Sequence, residues 1–306
     1  MSTPEEAKAV IRRWNDEGWS GGNYELAHEI IAPVMTVHGA GGQAVGMGPD
    51  GLIQLIKTWR SAFPDGKMTV DDLIVEGDLV GIRNTWSGTQ TGEFYGIPPT
   101  GKHVEVTSVG LDRVKDGQVV EGWGELDMVG MMQQLGAMPV AGPGAVAQGK
   151  PSSWGPTAAS SGDGSGSPED NKQVLLQFVN ALAAGDGDAL EAVADSARFV
   201  DHNPVWGTDD LAGALACAET LRAAVPDLSV EVETAIMVAE GDQAEVHSIL
   251  TGTHTGADLF GVAASGKSLK WTHTDFVRIA DGKIVERWVS ADTLTLLQQA
   301  GVLPGG

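Results

Sequence analysis

Apolar positions at the start of the chain follow the spacing of an amphipathic helix. Val10 and Trp14 lie one turn apart on the same helical face. They follow the sequence TPEE at residues 3–6, which offers a hydroxyl N-cap, a proline at the first helical position and acidic residues in the first turn. The pattern also predicts a short helix over residues 26–31 and a third helix from about residue 50 to 62.

After the third helix, apolar and polar positions alternate with period two. This alternation predicts strands at 69–76, 79–87, 103–114 and 118–127, with hairpin turns at EGD and KDG between them. Helices first and antiparallel strands afterwards favour an α+β domain, in which the helices cover one face of a curved sheet.

The same series of elements occurs twice. The helix opening returns as SPED at residues 167–170, and a third helix is predicted again from about residue 209 to 224. The sequence VKDGQVVEGWGELD, which begins at Val114, returns as IADGKIVERWVSAD from Ile279. The chain is therefore predicted to be a duplication of one domain.

A segment of small residues separates the two copies. Residues 140–168 are rich in Gly, Pro, Ser and Ala and bury too little apolar surface to offset their ordering entropy, so we expect a linker. The first copy then comprises residues 1–139 and the second copy residues 169–306.

Charge limits the possible partners. The chain has 19 Lys plus Arg and 41 Asp plus Glu, a formal net charge of −22. This argues against nucleic acid and against an anionic membrane surface, both of which need a basic patch. The sequence has no apolar run of membrane-spanning length, and its start, MSTPEEAKAV, has no signal-peptide pattern, so we expect a cytoplasmic protein. Cys217 is the single cysteine and fits a core position.

Candidate acid–base residues lie on the last two strands of the second copy. Alternation places Trp271, His273 and Asp275 on one face of one strand, and Trp288, Ser290 and Asp292 on one face of the next. If these two strand faces belong to the side of the sheet that the helices cover, the side chains converge in one cavity. A carboxylate among indoles is poorly solvated and suits a general base, while a histidine can orient a substrate oxygen or carry a proton. Alternatively, this face is a solvated surface with ordinary strand polar residues.

The first copy has a reduced set of such residues. Ser108 and Gly110 stand where the second copy has histidine and aspartate, while the last strand keeps Trp123, Glu125 and Asp127. We therefore expect the first copy to act on something else or only to scaffold.

One histidine recurs in both copies. His38 aligns with His202, which Asn203 follows. It either serves the site or bonds a neighbouring backbone carbonyl. The histidines are too widely spaced for a metal motif, and no glycine-rich loop has phosphate-binding form, so we expect neither a metal nor a cofactor.

These motifs resemble the SnoaL-like polyketide (ester) cyclase family, within the nuclear transport factor 2 and ketosteroid isomerase superfamily. The resemblance rests on GTHTG, on G-x-x-x-x-G-K and on W-x-H-x-D-x-x-R-x-x-D-G-K-I-V-E-x-W-x-x-x-D in the second copy, on DHNP at residues 201–204, and on the proline and aspartate that end the third helix. It covers both copies.

The resemblance implies two tandem cone-shaped α+β barrels, each with three helices on a curved, mostly antiparallel sheet. It also implies cofactor-free chemistry in which an aspartate acts as base in an aldol ring closure and a histidine assists. By position, the base is best matched by Asp292, with Asp127 as its counterpart, and the histidine by His273 or His202. Family members commonly pair through their sheets, so the resemblance also implies an internal pseudo-dimer, with further oligomerisation open.

The sequence therefore predicts a cyclase, isomerase or lyase that acts on a small hydrophobic carbonyl compound, plausibly in natural-product biosynthesis. A second hypothesis is water addition, as in the epoxide hydrolases of the superfamily, which needs an Asp–Arg–Asp cluster. Arg278 lies on the opposite face from Asp275 by alternation, which counts against it. A third hypothesis is a protein that only binds a hydrophobic ligand or serves as a scaffold.

Overall fold

The chain divides into two compact units that correspond largely to the two copies. The structure is a computed structural model and describes residues 3–137, 166–202, 208–231, 235–259 and 261–302. No helix in these residues is long and apolar enough to cross a membrane.

The first copy places its helices before most of its strands. Its helices are α1 (Pro4–Arg13), a π-helix (Trp14–Ser20), α2 (Ala27–Ile30), α3 (Pro49–Ala62) and α4 (Met128–Leu135), with short 3-10 turns at Tyr24–Leu26 and Ala40–Gly42. Its strands are β1 (Ile31–His38), β2 (Ala44–Met47), β3 (Lys67–Glu76), β4 (Leu79–Thr89), β5 (His103–Lys115) and β6 (Gln118–Leu126). They form one sheet in the order β2-β1-β6-β5-β4-β3, which is antiparallel except where β1 meets β6.

The second copy repeats this order of elements. Its helices are α5 (Pro168–Ala184), α6 (Gly187–Val193), α7 (Leu211–Ala224) and α8 (Thr293–Ala300). Its strands are β7 (Val200–Asp201), β8 (Ser229–Val230), β9 (Ile236–Glu240), β10 (Gln243–Thr253), β11 (Ser268–Ala280) and β12 (Lys283–Ala291). The sheet order is β7-β12-β11-β10-β8, with β9 also paired to β10, and β7 meets β12 in parallel.

Both predicted helix openings are confirmed. Thr3 and Ser167 accept a hydrogen bond from the backbone three residues later, and Glu6 and Asp170 return the bond to the cap. These capping boxes satisfy amides that a helix start otherwise leaves unpaired. Because Ser167 caps α5, the helix begins at Pro168, which the sequence had assigned to the end of the linker.

One face of each sheet packs against helices. In the first copy, Val80 and Ile82 of β4 share a buried cluster with Ile11 of α1 and Ile56 of α3. In the second copy, Val246, Val277 and Ile284 share a cluster with side chains of α5, α6 and α7. We call this helix-covered side the inner face and the opposite side the outer face.

A β-bulge changes which residues of the last strand reach the inner face. Arg278 pairs with Glu286 but Ile279 pairs with Ile284, so Val285 is an extra residue in β12. Ile284 therefore lies on the inner face, and beyond the bulge the odd-numbered residues take that position. The first copy has the same irregularity in β6, between the pairs Arg113–Glu121 and Val114–Val119.

The bulge corrects the predicted convergence of the two strands. His273 lies opposite Ala291 and Asp275 opposite Val289, so the inner face continues through odd-numbered residues of β12. Trp288 and Ser290 pair with Phe276 and Thr274 and lie on the outer face. Simple alternation failed because it assumed a strand without an inserted residue.

Candidate functional site

The inner face of the second copy borders a cavity of about 680 Å³, measured with its open mouth. Its wall is formed mainly by apolar side chains of α5, α7, α8, β8, β10 and β11, among them Leu182, Leu221, Leu250, Trp271 and Leu296. His273, Asp275 and Arg287 form a charged end, and Thr293 adds one hydroxyl group to the lining. Such a cavity suits a mostly apolar molecule with few polar groups.

A chain of charged side chains forms the polar end. Nε of Arg287 donates to Oδ1 of Asp275 at 2.7 Å, and its Nη1 donates to Oδ2 of Asp201 at 2.8 Å. All three side chains are less than a tenth exposed. One cation is thus held between two buried carboxylates, and the ring of Phe178 lies 5.6 Å from the guanidinium carbon. Removal of Arg287 would leave two buried carboxylates without their cation.

These neighbours control the protonation of Asp275. Burial alone would raise the pKa of its carboxyl, but the charges of Arg287 and His273 outweigh it and hold that pKa well below its ordinary value. Asp275 therefore stays ionised across the physiological range. The pKa of Arg287 is raised: burial opposes the charge, and the two carboxylates overcome that effect.

His273 stands between the charged chain and the cavity. Its Nδ1 lies 2.9 Å from Oδ2 of Asp275, an ion-pair distance whose angle falls outside hydrogen-bond geometry. The ring is 14% exposed and lines the cavity, and Nε2 makes no hydrogen bond with the residues that the structure describes. This arrangement leaves Nε2 available to a bound molecule.

Asp292 and Asp127, the predicted bases, each cap the helix that follows them. Oδ1 of Asp292 accepts the backbone N–H of Thr295 at 3.1 Å, so Asp292 is the N-cap of α8. Asp127 caps α4 in the same way through the N–H of Gly130, at 2.7 Å. Burial raises the pKa of Asp127, and the bond from Gly130 opposes this. Asp292 is not among the residues that line the cavity, and its role as a base stays a prediction.

The recurring histidines lie on the outer faces. His202 stacks on Trp288 with ring centroids 4.4 Å apart, and His38 stacks on Trp123 at 4.8 Å. The structure thus brings together two pairs of predicted site residues, away from His273.

Each stacked histidine approaches a glutamate that pairs with an arginine. Nε2 of His38 lies 2.9 Å from Glu121, which also accepts from Arg113. Nε2 of His202 lies 3.8 Å from Glu286, which accepts from Arg278. Burial would raise the pKa of Glu286, but these two partners lower it to about 2. In both copies, therefore, the recurring histidine packs on a tryptophan and approaches a glutamate.

Ser290 and Glu125, two further predicted site residues, do not line the cavity. Ser290 is buried on the outer face, and its Oγ makes no hydrogen bond with the described part of the chain. Glu125 is buried on the outer face of the first copy, opposite Val109. Asn203 lies outside the described residues. In contrast, Cys217 lines the cavity, where the sequence had suggested a core position.

Alternation overlooked Arg287 and Asp201. Arg287 reaches the inner face only because of the bulge, and Asp201 belongs to the two-residue strand β7. A useful signal was present: an Arg inside an apolar strand, VERWVS, needs a buried anion, and an unassigned Asp followed the apolar stretch RFV.

The inner face of the first copy has lost the charged chain. Gly110 and Gly122 align with Asp275 and Arg287, as the repeat of VKDGQVVEGWGELD shows.

In the part of the chain that is described, no group of three or more His, Cys, Asp or Glu side chains is arranged to hold a metal.

A comparison with protein families finds the same domain twice in the chain. A family model described as SnoaL-like polyketide cyclase matches residues 9–135 and 172–300. IdmH from Streptomyces antibioticus is 33% identical over 42% of this chain and 98% of its own, with a TM-score of 0.39. A candidate SnoaL-like polyketide cyclase from Jannaschia sp. CCS1 is 30% identical over 45% of this chain and 97% of its own, with a TM-score of 0.42. No curated protein matches the chain. The two family-model matches cover most of the chain, which therefore belongs to the SnoaL-like polyketide cyclase family and carries its domain twice.

Proposed function

We propose that the second copy is a cofactor-independent acid–base enzyme, a cyclase or isomerase that removes a proton next to a carbonyl group. The observation that carries this proposal is the chain His273–Asp275–Arg287–Asp201 at the polar end of an apolar cavity. Buried charges that do not stabilise the fold by themselves are a common mark of a catalytic centre.

The environment assigns different tasks to these residues. Asp275 is held ionised by Arg287 and is therefore a poor proton acceptor. Nε2 of His273 is the atom that can take a proton from a bound molecule, and the Asp275 carboxylate then stabilises the imidazolium. Arg287 and Asp201 act as positioning residues, because they fix the carboxylate that faces the histidine.

The cavity lining supports a neutral, largely apolar substrate. One full cation, Arg287, is already balanced by two carboxylates, so an anionic substrate would find no free cation among the described lining residues. An aromatic or alicyclic ketone would bury its rings against Leu221, Leu250 and Trp271 and present one carbonyl to His273.

Deuterium exchange tests proton removal without knowledge of the natural substrate. The full chain is incubated in D₂O with 2-tetralone, an enolisable bicyclic ketone, and loss of the α-proton signal is followed by NMR. We expect wild-type protein to exceed buffer and His273→Gln to lose on the order of 10²-fold or more. His202→Gln, on the outer face, is the matched control and should keep the wild-type rate. Equal rates for wild type and His273→Gln would contradict the proposal.

Water addition to an epoxide is a second candidate. This reaction needs an Asp–Arg–Asp cluster, and Asp275, Arg287 and Asp201 form one. The sequence had offered only Arg278, on the opposite strand face from Asp275. In this reaction water attacks one epoxide carbon and loses a proton to a basic group of the site, that C–O bond breaks, and the released oxygen takes up a proton, so that a diol forms. Incubation with an alicyclic epoxide in H₂¹⁸O would place one labelled oxygen in the diol. Absence of labelled diol, together with ketone exchange, would leave the carbonyl chemistry.

A further inference from the structure

The first copy has a buried carboxyl of its own, displaced from the position of Asp275. Asp112 lies on the inner face of β5, two residues beyond Gly110 and opposite Val80 of β4. A Cβ built on Gly122 would lie 2.6 Å from Oδ1 of Asp112, so the carboxyl lies over the backbone where the second copy carries Arg287. Asp112 of the first copy and Arg287 of the second copy therefore lie in the same part of their domain interiors.

Asp112 has no partner among the residues that the structure describes. No hydrogen bond or ion pair reaches its carboxyl, and its neighbour Arg113 extends to the outer face, where it pairs with Asp78 and Glu121. Burial raises the pKa of Asp112 to about 7, with no nearby charge to offset it. Asp112 as a residue is half-buried and is therefore not sealed inside the core.

A second polar group on the same face also lacks a partner. Asn84 of β4 lies opposite Ser108 and between the core residues Ile82 and Trp86. It is 8% exposed, and its buried Oδ1 makes no hydrogen bond within the described residues. A buried amide oxygen without a hydrogen bond is costly, and a ligand is one way to satisfy it.

The inner face between these groups is open. Gly124 of β6 lies opposite Gly110, is exposed, and has no atom within 4 Å of the place a Cβ would take. Met35 packs over Gly122 beside Asp112, whereas no side chain stands at Gly110 or Gly124. The open position at Gly124 therefore lies between the two polar groups.

The chemistry of the ligand follows from the two groups and their spacing. Ser108, beside Asn84, and Asp112 are four residues apart along β5, about 13 Å. No described inner-face position of β4, β5 or β6 is Lys, Arg or His, so the complement of the Asp112 carboxylate is a cation from outside the sheet. The amide of Asn84 can accept from a hydroxyl group.

We propose that the interior of the first copy is a separate binding site for an elongated apolar molecule that carries a protonated amine, held by Asp112, and a hydroxyl group, held by Asn84. This site is independent of the chemistry proposed for the second copy.

Calorimetric titration of the full chain at pH 8 tests this site with two matched probes. Tyramine carries an aromatic ring, a hydroxyl group and an amine; 4-ethylphenol lacks the amine. We expect wild-type protein to bind tyramine at least about 10-fold more tightly than 4-ethylphenol, and this comparison needs no variant. No binding of tyramine, or equal affinity for the two probes, would overturn the proposal.

Two variants locate the binding. Asp112→Asn should weaken tyramine on the order of 30-fold or more and leave 4-ethylphenol unchanged, because only the charge is lost. Asp275→Asn should leave tyramine binding unchanged. Loss of tyramine binding in Asp275→Asn but not in Asp112→Asn would place the amine in the second copy and refute the site. A cooperative thermal unfolding transition, measured for each variant, serves as the control that the variant is folded.

Discussion

The unpartnered carboxyl of Asp112 gives a prediction about stability that does not depend on any ligand. In the folded first copy its pKa is about 7, against an ordinary value of 3.8. The folded state therefore holds this proton more tightly than the unfolded state. Stability from this group is complete below pH 4, falls as the pH rises towards 7, and is constant above that.

The size of the effect follows from the same two values. A difference of about 3 pKa units corresponds to about 4 kcal/mol, at 1.36 kcal/mol for each unit. Asp112 is a half-buried residue, so 4 kcal/mol is an upper limit and we expect about 2–4 kcal/mol. Asp112→Asn cannot ionise and should escape this loss. Relative to wild type, the variant should gain this amount of stability between pH 4 and pH 8.

Hydrogen exchange measured by mass spectrometry on peptides from β4, β5 and β6 reports the stability of the first copy within the full chain. The free energy of opening is compared for wild type and Asp112→Asn at pH values from 4 to 8. Peptides from β10, β11 and β12 provide the internal control and should not change. If the free energies of opening of wild type and Asp112→Asn differ by the same amount at every pH, Asp112 is not a carboxyl with a raised pKa in the folded state.

Three further outcomes concern the second copy. Arg287→Met leaves Asp275 and Asp201 without their cation and should cost about 3–5 kcal/mol in hydrogen exchange of β11 and β12; unchanged protection would contradict the ion pairs. Asp292→Ala should cost about 1 kcal/mol by loss of a helix cap, whereas Asp292→Ser, which keeps a capping oxygen, should stay near wild type; equal losses would argue against the cap. Asp275→Asn should lower ketone exchange at least 10-fold, and a wild-type rate would show that His273 works without this carboxylate.

The sequence predicted the repeat and most of the elements because these depend on local signals. TPEE and SPED begin α1 and α5, and alternation located β4, β5 and β6 with ends within a few residues. The short pair β1 and β2 was missed, because Ile31–His38 contains two successive exposed residues, Pro33 and Val34, and does not alternate. Helices α4 and α8, the last helix of each copy, begin directly after the aspartates that were interpreted as bases, and these aspartates are their N-caps.

The candidate site was predicted in part. His273 and Asp275 were identified because they alternate with Trp271 on one regular strand. Arg287 was missed because an inserted residue in β12 depends on pairing with β11 and leaves no pattern within β12 itself. Asp292 was favoured as the base because the family resemblance and strand alternation both pointed to it, but it also directly precedes α8, where a helix needs a cap.

The unequal fate of the two copies follows from single positions on shared strands. Gly110 and Gly122 remove the charged pair from the first copy, and Asp112 introduces one carboxyl further along the same strand. The two domains thus keep one fold and one outer-face cluster while their interiors differ in charge. Similar shells with different interiors are expected to bind different molecules.

His273 and Asp292 are the two candidate bases of the second copy, and the exchange of 2-tetralone α-protons in D₂O by His273→Gln and Asp292→Asn distinguishes them. We predict that His273→Gln falls at least about 10²-fold while Asp292→Asn keeps most of the wild-type rate. Loss of exchange in Asp292→Asn with a normal rate in His273→Gln would show that Asp292, and not His273, is the base.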